Sequence, residues 1–163
     1  MTSSCDRSDL HVRAEGPGVL CVASTGGHFV QLTKIMAGLP SGRAHFVSTA
    51  RGDASLLVGY SHETIPEASR TSRLSLARCA WRILRILLRH RPSLVVSTGA
   101  APGYLAVRLG HLLGARTVWI DSVANVEEVS MAGRLARPHS DLFLVQWPHL
   151  AEAGQGEYRG SVL

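Results

Sequence analysis

The sequence predicts an α/β domain with a mostly parallel sheet flanked by helices. Two patterns carry this prediction. Short apolar runs alternate with longer helical segments along the chain. Those runs are continuously apolar rather than alternating, as expected for strands buried on both faces. The 163 residues suit one domain with a normal core, and 45% hydrophobic against 18% charged residues excludes a disordered chain.

Residues 1–16 read as a loose polar tail, and residues 17–163 as the folded domain. Residues 18–24 (GVLCVAS) predict a buried strand that enters the turn Thr25-Gly26-Gly27. Apolar Val30, Ile35, Met36 and Leu39 then space a helix over 28–39, stopped by Gly38 and Pro40. Residues 44–49 predict a second strand, followed by a polar loop through 51–53, and 62–65 a short third. The strongest helix covers 74–90 and ends at Arg91-Pro92. Residues 93–97 predict a strand leading into Thr98-Gly99-Ala100-Ala101-Pro102-Gly103, with a helix over 104–113 closed by Gly114. Strands over 116–121, 141–146 and 158–163 and a short helix over 129–137 complete the pattern.

The net charge of +5 is unevenly distributed. Residues 68–120 hold nine Arg and no acid, while the remainder holds 8 basic and 12 acidic residues, so +9 faces −4. One basic face is expected, and a general nucleic-acid coat is not. Within the 74–90 helix, Arg82, Arg85 and Arg89 fall at about 40°, 340° and 20° from Arg78 on a helical wheel. This stripe is either a solvated face or a contact with anionic lipid headgroups, with Trp81 and Leu88 dipping beside the Arg residues. No aromatic platform interleaves the stripe, which argues against nucleic acid.

Three Cys without a paired spacing suit a reducing compartment. No run of about 18 apolar residues marks a transmembrane helix, and the first residues have no apolar signal core. The expected location is cytoplasmic, with any membrane contact peripheral. The His and Cys spacings match no metal motif. The dinucleotide fingerprint and the phosphate-binding G-x-x-x-x-G-K-[ST] loop are also missing, so no cofactor is expected.

In open parallel sheets, ligands bind beyond the carboxyl ends of strands. Three such ends are candidates: residues 24–28, 97–103 and 121–125. Glycine allows close backbone approach, and a following helix offers free N–H groups, so phosphate or diphosphate is the natural ligand. The same glycines would also serve plain strand–helix turns. His28 is either a general base or phosphate ligand, or a helix N-terminal His with a structural hydrogen bond. Asp121 is either a base or sugar-hydroxyl acceptor, or a helix N-cap or turn residue.

The segments VASTGGHFVQL, RPSLVVSTGAAPGYLAVRLGHLLGARTVWIDSVANVEEVSMAGRLARPHSDLFLVQWPHL and YRGSVL resemble a known family. It is the acceptor-binding half of two-component UDP-sugar glycosyltransferases, including the membrane-associated subunit of the dolichol-pyrophosphate N-acetylglucosaminyltransferase and bacterial exopolysaccharide subunits. These are similar to the N-terminal half of lipid II synthase. The most specific block runs over residues 120–147.

The resemblance implies a Rossmann-like, single GT-B half-domain. It implies transfer of a sugar, N-acetylglucosamine by analogy, from a UDP-sugar to a lipid-linked acceptor with inversion. A separate partner chain would hold the donor, so this chain alone should be inactive. His28 becomes the expected base or acceptor-phosphate ligand, with Asp121 as the rival base. Thr25, Gly26, Gly27, Thr98, Gly99, Gly103, Ser122 and Asn125 become the expected acceptor and diphosphate contacts. Asp121 stands where many relatives have Glu, and Asn125 where many have Arg. Eukaryotic relatives carry an N-terminal anchor. Its absence here leaves Arg78, Trp81, Arg82, Arg85, Leu88 and Arg89 as the expected contact with the inner face of the cell membrane. Two other readings remain: a non-catalytic scaffold that recruits the enzyme to membranes, and a stand-alone nucleotide-binding domain.

Overall fold

A computed structural model describes residues 18–68 and 72–162. The predicted tail over 1–16 lies outside the described residues. Seven strands are present: β1 (Val19–Val22), β2 (Ala44–Ser48), β3 (Ser61–Thr64), β4 (Leu94–Ser97), β5 (Arg116–Ile120), β6 (Leu142–Val145) and β7 (Glu157–Tyr158). They form one sheet in the order β3-β2-β1-β4-β5-β6-β7, and every neighbouring pair is parallel. The helices are α1 (Gly27–Met36), α2 (Arg73–His90), α3 (Ala100–Leu112), α4 (Met131–Ala136) and α5 (Pro148–Glu152).

Helices cover both faces, so the strands are apolar on both sides. On one face, α2 and α3 pack Cys79, Ile83, Ile86, Leu87 and Ala106 against Leu20, Val22, Val47 and Val95. Trp119, Phe143 and Val145 continue that face under α4 and α5. On the other, Phe29, Leu32 and Met36 of α1 cover Cys21, Phe46, Val96 and Ile120. Burial pushes the thiol of Cys21 up to about 12 and that of Cys79 to about 11, so neither is a ready nucleophile.

Helix boundaries have local causes. Ser72 caps α2, its side chain accepting from the Ser75 amide, and Arg91 ends it in the left-handed region at φ 44° just before Pro92. Helix α1 stops at Met36, three residues before the predicted end. Helix α3 begins at Ala100, four residues before the predicted start. Pro102 lies in its first turn, where a missing N–H costs nothing. Gly103 is therefore helical rather than part of a loop. A Cβ there would lie 2.0 Å from Ser97 Oγ, so close packing of α3 on β4 explains this glycine. The polar loop predicted over 51–53 is the start of a 3-10 helix, Arg51–Leu56. Helix α5 has no counterpart in the sequence prediction, and β7 is two residues long rather than six.

Candidate functional site

Strand β1 pairs with β2 on one side and β4 on the other, so the strand order reverses between β1 and β4. Helices leaving these two strands go to opposite faces, which opens a crevice at their carboxyl ends. Both predicted glycine loops meet there. His28 Nδ1 lies 3.0 Å from the Thr98 carbonyl, and Thr98 Oγ1 donates to the His28 carbonyl at 2.6 Å. This reciprocal pair ties together residues 70 positions apart.

The pair also sets the histidine tautomer. A carbonyl can only accept, so Nδ1 carries the hydrogen and Nε2 is left with its lone pair. Nε2 has no partner among the described residues, and His28 is half-buried. The ring packs on Gly99, where a Cβ would lie 2.6 Å from it, and the φ of +142° there also favours glycine. Ala100 follows at φ 63°, a left-handed conformation rare for a residue with a side chain.

Gly26 and Gly27 behave differently. Nothing lies within 4 Å of a Cβ built at either, so internal packing does not demand glycine there. Only Gly26, at φ +83°, has a backbone reason. Helices α1 and α3 both begin at this crevice without a side-chain cap or an acid in the first turn. Their free N–H groups and positive dipole ends suit an anion. Thr25 is exposed beside them, its amide donating to Thr49 Oγ1 at 3.0 Å. Thr98 is fully buried and its hydroxyl is committed to the backbone, so it shapes the loop from behind.

Asp121 matches the turn-residue reading rather than that of an open base. It is 1% exposed. Its Oδ1 accepts from Trp119 Nε1 at 3.0 Å and Ser130 Oγ at 2.7 Å. Its Oδ2 accepts from Asn125 Nδ2 at 2.9 Å and the Ser130 amide at 3.0 Å. A carboxylate with four such bonds has no open site for a substrate proton. Asp121 instead organises the loop between β5 and α4, while Ser130 caps α4 through the Gly133 amide. The Asn125 amide group is engaged in the same network, and Ser122 Oγ accepts from the Ala124 amide at 3.3 Å. Trp147 and His149 brace this loop through the Val123 and Val126 carbonyls.

Residues 58–162 match the family described as oligosaccharide biosynthesis protein Alg14 like. The chain belongs to the Alg14-like family. It is 30% identical over 105 residues to the UDP-N-acetylglucosamine transferase subunit ALG14 of Yarrowia lipolytica, covering 60% of this chain and 47% of that protein. The subunit of the same name from Mus musculus is 26% identical over 82% of this chain and 77% of its own length. Among solved structures, MurG from Acinetobacter baumannii superposes with a TM-score of 0.68 at 11% identity, over 90% of this chain and 46% of that one. The chain thus has the Rossmann-like fold of the part of MurG that it covers. Within the Alg14-like match lie the second glycine loop and the Asp121 loop; Thr25–His28 precede it.

The arginine helix of this Alg14-like chain is divided by its surroundings. Glu63 on β3 pairs with Arg82 at 3.4 Å and with Arg89. Arg78 and Arg85 have no ion-pair partner among the described residues and lie exposed beside Trp81, which is 62% exposed, and Leu88. Only half of the predicted stripe is therefore free. The inward face is Cys79, Ile83, Ile86 and Leu87, and Leu76 is exposed.

The structure also brings together His45, Glu63 and His90, whose candidate ligand atoms all lie within 4.8 Å of one another. Sequence spacing shows no metal motif because the three come from β2, β3 and the end of α2. Two guanidiniums already neutralise Glu63, and His90 Nε2 accepts from Arg89. That electrostatic setting opposes a cation. His45 stays neutral, its pKa lowered to about 4 mainly by burial and then by His90.

Proposed function

We propose that this chain is the acceptor-binding, membrane-associating subunit of a two-component inverting glycosyltransferase. The relatives are named as N-acetylglucosamine transferase subunits, which supports a UDP-N-acetylglucosamine donor and a separate chain that binds it. The observation that carries the reading is the His28 tautomer. Nε2 is presented, unpartnered, between two uncapped helix N-termini.

The acceptor is a lipid-linked diphosphate. Its phosphates sit on the amides at the starts of α1 and α3, over Gly26, Gly27 and Gly99, with Thr25 at the rim. His28 Nε2 takes the proton of the acceptor hydroxyl as its oxygen attacks the sugar's anomeric carbon. The donor's diphosphate leaves from the opposite side, held mainly by the partner chain, and the configuration inverts. Asp121, Ser122 and Asn125 shape the third wall. Arg78, Arg85, Trp81 and Leu88 face the inner leaflet, with the chain on the cytoplasmic side at the membrane surface.

The test is co-expression with the partner chain and a transfer assay with a UDP-sugar and a lipid-linked acceptor. His28→Ala should lower kcat about 100-fold, the usual scale for a general base, with partner binding intact. Full activity in that variant overturns the assignment. A recruitment scaffold would show the reverse pattern, with loss on Arg78→Glu/Arg85→Glu and none at His28. Tight UDP-sugar binding by this chain alone would favour a stand-alone nucleotide-binding domain.

A further inference from the structure

Beside the glycine crevice, an apolar groove of about 250 Å³ opens between α2, α3 and α4. Its walls are Leu76, Ala101, Tyr104, Met131, Ala132 and Leu135. Three of these large side chains are exposed: Met131 at 54%, Leu135 at 53% and Leu76 at 36%. A monomeric surface rarely concentrates apolar groups in a concave strip without an occupant.

Two features identify that occupant. The groove reaches the first turn of α3, because its Ala101 is the second residue of that helix and follows Gly99 and the left-handed Ala100. An apolar tail on an anion at the α3 N-terminus would have this groove within reach of its first carbons. The charge setting agrees. The helix forming one wall belongs to the acid-free, nine-Arg window of the chain. An anionic head with an apolar tail matches both parts.

We propose that this groove binds the first carbons of the acceptor lipid's hydrocarbon chain, lifting them out of the bilayer and holding the diphosphate in register with His28. The proposal rests on the functional reading above and adds a chain-recognition subsite to it. Each CH₂ buried there is worth about fourfold in affinity. Acceptors carrying a short prenyl chain should bind much better than those carrying a methyl group.

The experiment compares two acceptors with the same sugar diphosphate, one carrying a two-isoprene chain and one a methyl group. It uses the complex with its partner chain. Leu76→Gln/Leu135→Gln alters exposed positions on two walls. It should raise KM for the prenyl acceptor about tenfold or more, and leave kcat, partner co-purification and the methyl acceptor unchanged. Equal losses on both acceptors, no loss on either, or loss of the partner overturns the groove.

A second arm does not depend on transfer. A benzophenone-bearing geranyl diphosphate should photo-crosslink the full chain at Tyr104 or Met131. Excess phosphatidylglycerol vesicles without acceptor should not compete. Competition by those vesicles would assign the groove to bilayer acyl chains and overturn the proposal, as would crosslinks only elsewhere. Groove crosslinks without transfer to either acceptor would instead sink the catalytic reading and keep the groove.

Discussion

His45 is buried on the α2 side of β2, its Nδ1 against Ser61 Oγ and its Nε2 without a hydrogen-bond partner among the described residues. The groups that face it are His90, Glu63, Arg89 and His62, and only Glu63 favours its charged form. The unfolded chain protonates His45 near 6.5, but the folded chain only near 4. The stabilisation is therefore complete above 6.5 and is lost as pH falls through 6.5 toward 4. It is worth about 3 kcal/mol at most. His90, also lowered by burial, acts in the same direction. Thermal unfolding between pH 4 and 7 should show Tm falling with acid in the wild type and a flatter profile in His45→Phe. An equally steep profile in the variant would place the acid sensitivity elsewhere. At this scale the sequence is legible where chemistry is local. A glycine pair before His28 marks the mouth of the site. The role of Asp121 is not local, because Ser130 reaches it only once the β5–α4 loop has folded back. The one near signal is Trp119, two positions earlier on the same strand face.

Helix α3 sits tightly on the sheet at two glycines. Gly103 faces Ser97, and Gly110 faces Val95, where a Cβ would lie 2.8 Å from the valine Cγ2. Gly103→Ala should destabilise the fold by roughly 1–3 kcal/mol through overpacking. Chemical denaturation of Gly103→Ala and of Gly103→Ala/Ser97→Gly checks this. The second change should recover much of the loss, whereas additive losses would show that the clash is not with Ser97. Most strands read directly from the sequence, since each is a short apolar run covered on both faces. The start of α3 does not. Pro102-Gly103 has the composition of a turn, and only the packing on Ser97 reveals that the helix needs that glycine. Short α5 is equally hidden, because five residues carry too little periodicity to register.

Across the whole molecule, the free cations and exposed aromatic of α2 form one outward strip, and none of the helices is long and apolar enough to cross a membrane among the described residues. Sedimentation with phosphatidylglycerol vesicles should retain the wild-type chain at low salt and release it at high salt. Arg78→Glu/Arg85→Glu with Trp81→Ser should abolish binding, and Arg82→Gln/Arg89→Gln should weaken it less, because Glu63 already engages those two. Equal effects from both sets would show that the ion pairs do not divide the stripe. The charge asymmetry was visible in the sequence, but the division of the stripe was not. Glu63 lies outside the acid-free window and meets α2 only through the sheet edge.

The His28–Thr98 pair has a further consequence for how the protein assembles itself. Its two halves are separated by β2, β3 and α2, and they meet only when β4 docks alongside β1. Closing a contact of that span has an entropic cost that the docked strands must offset. The site is complete only with both strands docked, so anything bound in the crevice should slow amide exchange in β1 and β4 as one unit.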